Sequence, residues 1–312
     1  MNILSLLPVC ALLAVLPVSL TAKIERVVEK SFMVTPGGTL RVETEGGAIR
    51  VQPSADGMVK ITARQRIRAG TDAEADEILK KLTLTMSAEG ADVTATAKYE
   101  RPITGMRWGA NPVEVEFIVT VPAQYSAKLK TSGGDIVVGD LDGRVEARTS
   151  GGNVKLGKIT GEIDAHTSGG NVTLVEGRAA ATLRSSGGDI AIGRVAGPTT
   201  VSTSGGNIKA EQVEQVFEAK TSGGNVTVGF AGELRGDCVL STSGGRVKAS
   251  VDATTAFRLD ASTSGGSVEA AGFTITLEQG GSGKSRLVGA VNGGGPVLKL
   301  RSSGGDIVLA RR

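Results

Sequence analysis

The stretch Thr149-Ser150-Gly151-Gly152-Asn153-Val154 is one copy of the signature that decides the fold of this chain. Its Ser-Gly-Gly core occurs nine times, between short segments in which apolar and polar residues alternate. Successive copies lie 18 and later 21 residues apart, a period typical of stacked units that bury their apolar faces against each other. The pattern predicts an all-β fold, a parallel β-solenoid of 18 to 21-residue coils. The copies start at Ser132, Ser150, Ser168, Ser186, Ser204, Ser222, Ser243, Ser264 and Ser303.

Aligning the copies on this serine separates buried from exposed positions. The residues three before it and four and six after it are apolar, and the residues between them are mostly polar. This alternation predicts two short strands per coil, each with one buried face. The Thr or Ser just before each signature serine shares the buried face, so we expect its hydroxyl to satisfy backbone groups of the turn.

The two glycines of the signature predict a sharp turn with positive φ and no room for a Cβ between stacked coils. An Asn or Asp follows them in seven copies, where we expect the polar side chains to hydrogen-bond along the stack. These residues are Asp135, Asn153, Asn171, Asp189, Asn207, Asn225 and Asp306. The interval of 39 residues between Ser264 and Ser303 equals one coil of 18 and one of 21, and predicts two further sequential coils whose middle turn lacks the signature.

Composition supports a turn-rich β array and argues against one class of partner. Gly accounts for 45 of the 312 residues and aromatic residues for only 3%. The net charge of +3 comes from 35 basic and 32 acidic residues, without a long Lys/Arg block. This balance excludes nucleic acid as the main partner.

We predict three parts: residues 1–22, a smaller β-rich leader domain over 23–125, and the solenoid over 126–312. Residues 1–22 carry no charge and end in Leu20-Thr21-Ala22, which is typical of an export signal peptide. An uncleaved anchor is the alternative, since about 20 apolar residues can span a bilayer. The protein is therefore expected to be exported: periplasmic, at the cell surface or secreted. Any membrane contact would run through an uncleaved N-terminal segment.

The leader contains five alternating segments typical of strands and one predicted helix. Thr71 followed by Glu74 forms a capping-box pattern at the start of this helix. Ile78, Leu79 and Leu82 supply its apolar stripe. Without residues 1–22 the chain has one thiol and no internal disulfide.

Motifs for catalysis are weak. Gly280-Gly281-Ser282-Gly283-Lys284-Ser285 resembles a phosphate-binding loop, but Glu278 stands where the loop needs its first glycine. Arg235-Gly236-Asp237 is an integrin-type tripeptide that a Gly-rich chain also produces by chance. His166 is the sole histidine, so there is no His cluster for zinc. We predict no catalytic residue, no cofactor and no metal site.

One outward column, two residues before the signature serine, is the candidate polyanion-contact site. Its cations would lie about 4.8 Å apart in stacked coils and could bind an anionic polymer. Acidic residues in the neighbouring outward column offer an ordinary alternative, ion pairing on a solvated face. We call this column the basic stripe; it consists of Lys130, Arg148, His166, Arg184, Lys220 and Arg301.

Three features together resemble a known bacterial family. They are Val121-Pro122 before the first repeats, the run of TSGGNV and SSGGDI units, and the ending Gly293-Gly294-Gly295-Pro296 before the last SSGGDI. The chain is similar in these to the "putative adhesin" family of β-solenoid repeat proteins, domain of unknown function 4097. The resemblance implies an envelope or surface protein without an established catalytic site, and it supplies no functional residues to transfer.

The main hypothesis is an exported, non-enzymatic β-solenoid that acts as an adhesin or a structural module of the cell envelope. Its candidate partners are an anionic surface polymer or another envelope protein. The alternative is an envelope-stress sensor or regulatory protein. A carbohydrate-active enzyme on a β-helix is less favoured because it needs paired carboxylates and aromatic platforms, and aromatic residues make up only 3% of this chain. The sequence does not determine the oligomeric state.

Overall fold

The computed structural model describes residues 23–100 and 111–312, which form 27 strands and one helix. No helix in these residues is long and apolar enough to cross a membrane. The first part contains β1 (Lys23–Met33), β2 (Thr39–Thr44), β3 (Ile49–Ser54), β4 (Met58–Arg68), α1 (Asp72–Leu79), β5 (Leu82–Glu89), β6 (Asp92–Tyr99) and β7 (Val113–Pro122).

The repeats fold as predicted, with one strand before each Ser-Gly-Gly turn and one after it. These pairs are β8 (Ser126–Thr131) with β9 (Ile136–Val138), β10 (Val145–Arg148) with β11 (Val154–Ile159), β12 (Ile163–His166) with β13 (Val172–Gly177), β14 (Ala181–Arg184) with β15 (Ile190–Val195), β16 (Thr199–Ser202) with β17 (Ile208–Val213), β18 (Phe217–Thr221) with β19 (Val226–Phe230), β20 (Cys238–Thr242) with β21 (Val247–Val251), and β22 (Phe257–Thr263) with β23 (Val268–Ala270). The chain ends with β24 (Ile275–Gly283), β25 (Arg286–Val291), β26 (Val297–Ser302) and β27 (Ile307–Arg311).

The strands form two sheets, of 13 and 14 strands, that face each other across one core. Strands after the turns stack in parallel in the first sheet, where Val154 pairs with Val172 and Leu156 with Leu174. Strands before the turns stack in the second sheet in the same way. The predicted apolar positions point inward and are buried almost without exception. The parallel β-solenoid is therefore confirmed.

Both sheets continue through the boundary predicted near residue 125. Strands β2 and β3 pair in parallel with β8 and β9, and their connecting turn is Glu45-Gly46-Gly47. Residues 39–54 therefore form the first coil, with Glu45 where later coils have Ser. Antiparallel strands β1, β4 and β7 extend one sheet beyond this coil, and the β5–β6 hairpin extends the other.

Helix α1 begins where the capping-box pattern places it. The Glu74 N–H donates to Thr71 Oγ1 at 3.2 Å. The Glu74 carboxylate, however, accepts from Gly70 N at 2.8 Å, one residue before the cap residue to which a capping box normally returns. The helix ends at Leu79, and Leu82 belongs to β5, so the predicted stripe is one residue too long.

The prediction of two sequential coils between Ser264 and Ser303 is wrong. Strands β24 and β25 form an antiparallel hairpin, and β25 pairs antiparallel with β22. The C-terminal coil, which we define as β26 and β27, lies between the coil of β20–β21 and the coil of β22–β23. Every coil offers the same hydrogen-bonding edge to its neighbours, so the order along the chain does not fix the order in the stack.

Candidate polyanion-contact site

The hydroxyl column beneath the turns is inward and doubly hydrogen-bonded, as the parity argument predicts. Thr167 Oγ1 donates to Gly152 O of the preceding coil at 2.7 Å and accepts from Gly170 N of its own turn at 3.2 Å. Equivalent pairs of bonds recur from Thr131 through Ser302. Each hydroxyl donates and accepts a hydrogen bond within the stack, so it is not available to an external ligand.

The signature glycines are required for space rather than for positive φ, so that part of the prediction is wrong. None of the described signature glycines has positive φ. A Cβ on the second glycine of a turn would meet backbone of the preceding coil, at 2.1 Å from Gly152 O in the case of Gly170. A Cβ on the first glycine, Gly169, would meet nothing closer than 3.6 Å.

The Asn and Asp residues after the glycines form the expected ladder. Asn171 N donates to Asn153 Oδ1 at 2.9 Å, and Asp189 N donates to Asn171 Oδ1 at 2.8 Å. The ladder is interrupted at Arg246, whose side chain offers no acceptor to the next coil, and it resumes where Ser267 N donates to Asp306 Oδ1 at 3.0 Å. Arg246 instead forms an ion pair with Asp306 at 3.3 Å.

Register brings the basic stripe together on the outer face of the second sheet. Lys130, Arg148, His166 and Arg184 occupy equivalent positions on four consecutive strands. Ser202 follows Arg184, and Lys220 comes next. Arg301 completes the stripe from the C-terminal coil, where it lies between Ser241 and Ser262.

Four of the six stripe residues form ion pairs, which reduces the charge that they present to a ligand. Lys130 Nζ lies 3.1 Å from a carboxylate oxygen of Glu43. Arg148 contacts Glu146 at 3.0 Å and Asp164 at 2.8 Å. Lys220 pairs with Glu218, and Arg301 pairs with Asp260 at 2.5 Å. Most of these pairs are solvent-exposed, so each is expected to contribute at most about 1 kcal/mol.

The pair of Arg301 and Asp260 is the most enclosed of these. Partial burial raises the pKa of the Asp260 carboxyl, but its hydrogen bond to Arg301 and the positive charge of that guanidinium outweigh burial and leave the pKa below its usual range. Asp260 is therefore charged at neutral pH and holds Arg301 against the sheet. Arg301 also donates to the backbone oxygen of Asp260 at 2.6 Å.

His166 and Arg184 are the stripe residues whose side chains have no hydrogen bond or ion pair within residues 23–100 and 111–312. They face each other on adjacent strands. Arg184 lines a shallow cleft of about 380 Å³ together with Arg144, Thr182 and the paired acids Glu162 and Asp164. This short segment of the stripe offers an external anion a guanidinium and an imidazole that it could contact directly.

The remaining sequence motifs do not form sites. The Asp237 carboxylate of the Arg-Gly-Asp tripeptide accepts from Val297 N at 2.8 Å, so it serves to attach the C-terminal coil. The segment 280–285 spans the tight end of the β24–β25 hairpin rather than the start of a helix. Across the described parts of the chain, no group of three or more His, Cys, Asp or Glu side chains could hold a metal ion.

Cys238 lies in a core column and is buried. Burial raises the pKa of its thiol to about 11. The thiol is therefore protonated at neutral pH and poorly nucleophilic.

Sequence reasoning misses one ion-pair partner of the stripe, Glu43, and it misses which cation Asp260 of the acidic column pairs with. Glu43 lies in the predicted leader, although the Thr44-Glu45-Gly46-Gly47 run, a variant of the signature, is a sequence signal for the first coil. The pairing of Asp260 with Arg301 depends on the inserted C-terminal coil, for which the sequence carries no signal that we can identify.

Comparison with known proteins identifies the family. A family model described as Toastrack DUF4097 matches residues 38–310. No curated protein matches the chain. Among solved structures, one named a "putative adhesin" from Bacteroides fragilis NCTC 9343 has 16% identity, covers 91% of this chain and 97% of its own, and gives a TM-score of 0.42. A "putative lipid binding protein" from Parabacteroides distasonis ATCC 8503 has 13% identity, with 91% and 96% covered and a TM-score of 0.45.

Proposed function

The chain belongs to the Toastrack DUF4097 family, and from this premise we propose that it is an exported, non-enzymatic β-solenoid that acts as an adhesin or structural module of the bacterial cell envelope. The observation that carries the proposal is the use of the repeated residues. The repeated Thr and Asn or Asp residues make hydrogen bonds between coils, and the repeated Gly residues allow the close contact between them. What varies between coils is the outward surface, as expected of a scaffold that presents a face.

A row of ten coils supports the idea of a stiff spacer. The coils run from β2–β3 to β22–β23, with the C-terminal coil included. At about 4.8 Å per step, they extend over roughly 45 Å. Each step is fixed by backbone bonds and by the inward hydroxyls, so the presented surface has a defined geometry rather than a flexible one.

We further propose that the contact surface is the basic stripe, centred on His166 and Arg184, and that its ligand is an anionic polysaccharide. The guanidinium of Arg184, which has no ion-pair partner among the described residues, and the adjacent imidazole of His166 support this choice. The flanking ion pairs are exposed and weak, so a multivalent polyanion could displace the acidic partners of Arg148 at little cost in free energy. Stacked coils repeat the contact at a regular spacing, which suits a polymer better than a small molecule.

Retention on an immobilised polyuronate tests the contact surface. The double variant Arg148→Ser, Arg184→Ser should elute at lower salt than the wild type and show a flatter salt dependence, because exposed contacts are screened within about 10 Å at 0.1 M salt. The control is Lys155→Ser, Lys248→Ser, which removes the same charge from the outer face of the other sheet. Equal loss in both variants would reduce the effect to net charge. Anionic vesicles in a parallel experiment distinguish a lipid surface from the polysaccharide.

Export is tested by expressing residues 1–312 in a bacterium and measuring the intact mass of the protein in the envelope fraction. The proposal expects a chain that begins at or near Lys23. A protein that retains Met1 would contradict cleavage and favour the anchor, and a protein confined to the cytoplasm would contradict export.

A further inference from the structure

The C-terminal coil, β26 and β27, occupies an internal slot of the stack. Strand β26 pairs in parallel with β20 on one side and with β22 on the other. Strand β27 pairs in the same way with β21 and β23. A segment from the end of the chain thus supplies the contact between two coils that were complete before it in sequence.

The slot binds this coil through contacts that recur throughout the solenoid. Ser302 Oγ donates to Gly245 O at 2.9 Å, and Thr263 Oγ1 donates to Gly305 O at 2.7 Å. Two ion pairs add register, because Asp306 contacts Arg246 on one side and Arg301 contacts Asp260 on the other. All of these contacts are made by residues of the C-terminal coil itself. None of them involves the residues that connect the coil to β25.

The connection itself is short and conformationally unusual. Residues 292–296 carry the chain from β25, on one side of β22, to β26 on its other side. Asn292, Gly293 and Gly294 have φ values of 48°, 96° and 87°. Asn292 is the one non-glycine residue with positive φ in the parts of the chain that the structure describes. Asn and Gly adopt such φ values more readily than other residues, so these three residues form a tight reversal of the chain. Short, tight hinges favour exchange of the segment that follows them.

We propose that the C-terminal coil is exchanged between two copies of this chain, so that each copy fills the slot of the other. In the exchanged form the turn at Asn292, Gly293 and Gly294 opens. The five hinge residues then reach about 17 Å when extended, which allows the coil to enter the slot of a second copy. Every contact of the coil is reproduced in the partner, which makes the dimer closed and two-fold symmetric. The proposal concerns self-association and does not depend on what the basic stripe binds.

Register-specific disulfide trapping on residues 23–312, the expected mature chain, tests the exchange. One variant carries Lys248→Cys and a second, distinguishable in mass, carries Val308→Cys; these residues are paired across β21 and β27. Neighbouring parallel strands lie at a distance that a disulfide can bridge. The two variants are unfolded together, refolded and oxidised. We expect a covalent heterodimer, with a ratio of dimer to monomer that rises in proportion to the monomer concentration.

The matched control uses Lys209→Cys and Thr227→Cys, which are paired across β17 and β19 in the middle of the stack. This pair measures cross-linking that does not come from the C-terminal coil. Cys238 is present in all variants and is buried. A heterodimer yield equal to that of the control over the whole concentration range would overturn the proposal.

The length of the hinge gives a second measurement. Deleting Gly293 and Gly294 leaves three hinge residues, which reach about 10 Å when fully extended, no more than the two strand spacings from β25 to β26. The crossing within one copy then requires a fully extended hinge, so the dimer fraction seen by size-exclusion chromatography with light scattering should rise at least tenfold. Inserting Gly-Gly-Ser after Gly294 should lower it. A deletion variant that stays monomeric with a native circular dichroism spectrum would overturn the proposal. If that variant does not fold, disulfide trapping with the natural hinge decides.

Discussion

Replacing the second glycine of a central turn should destabilise the solenoid far more than replacing the first. In Gly170→Ala the new Cβ would lie 2.1 Å from Gly152 O and 2.5 Å from Gly152 C. In Gly169→Ala the nearest atoms, both backbone oxygens, lie 3.6 Å away. Neither glycine has positive φ, so the two variants differ in space and not in backbone preference.

The geometry sets the size of the effect. A Cβ–oxygen contact must exceed about 3 Å, so the coils on either side of Gly170 must separate locally by about 1 Å. The bond from Asn171 N to Asn153 Oδ1 now measures 2.9 Å and that from Gly169 N to Ser150 O 2.8 Å. Both would then exceed hydrogen-bonding distance. Two lost bonds at about 1 kcal/mol each, with overpacking strain of about 1 to 3 kcal/mol, give a loss of about 3 to 5 kcal/mol.

Urea unfolding followed by far-UV circular dichroism measures this loss. With a slope of about 3 kcal/mol/M, Gly170→Ala should lower the midpoint by about 1 to 1.7 M. Gly169→Ala should change the free energy of unfolding by no more than about 0.5 kcal/mol. Native-state hydrogen exchange should place the added exposure in the coils on either side of Gly170, since a solenoid coil contacts only its neighbours. Equal midpoints for the two variants would refute the close-contact reasoning.

Three further predictions test the core, the hydroxyl column and the thiol. Leu174→Asp should unfold the array in thermal melts because it buries a charge, whereas the outward Thr173→Asp should be nearly neutral; similar losses would contradict the assigned faces. Thr167→Val should cost about 2 kcal/mol in chemical denaturation because it leaves Gly152 O and a turn N–H without their partner, and Thr167→Ser should restore most of that stability; no rescue would mean that packing dominates. Cys238, with its pKa raised to about 11, should resist iodoacetamide at pH 8 until the protein is denatured, and rapid labelling of native protein would contradict its burial. Its contribution to stability should be lost as pH rises from about 9 through about 11, because the thiol of the unfolded chain ionises first.

The sequence by itself determined the features that depend on local periodicity. The spacing of the signature gave the coil, and parity gave the buried faces, including the inward Thr167 and its equivalents. The Asn ladder followed because Asn153 and Asn171 occupy the same position in successive coils. The stripe was also predictable as a row, since equal positions in parallel coils must lie side by side.

Tertiary structure decided which coils are neighbours and which charges meet. The segment Thr44-Glu45-Gly46-Gly47 became the first coil, and the C-terminal coil entered the stack between two earlier ones. Those choices set the partners of Lys130 and Arg301. The physical reason is the equivalence of the repeats: each coil presents the same backbone edge and the same hydroxyl, so the order of stacking is selected by the caps, the hinge and the long-range ion pairs that only the folded chain brings together.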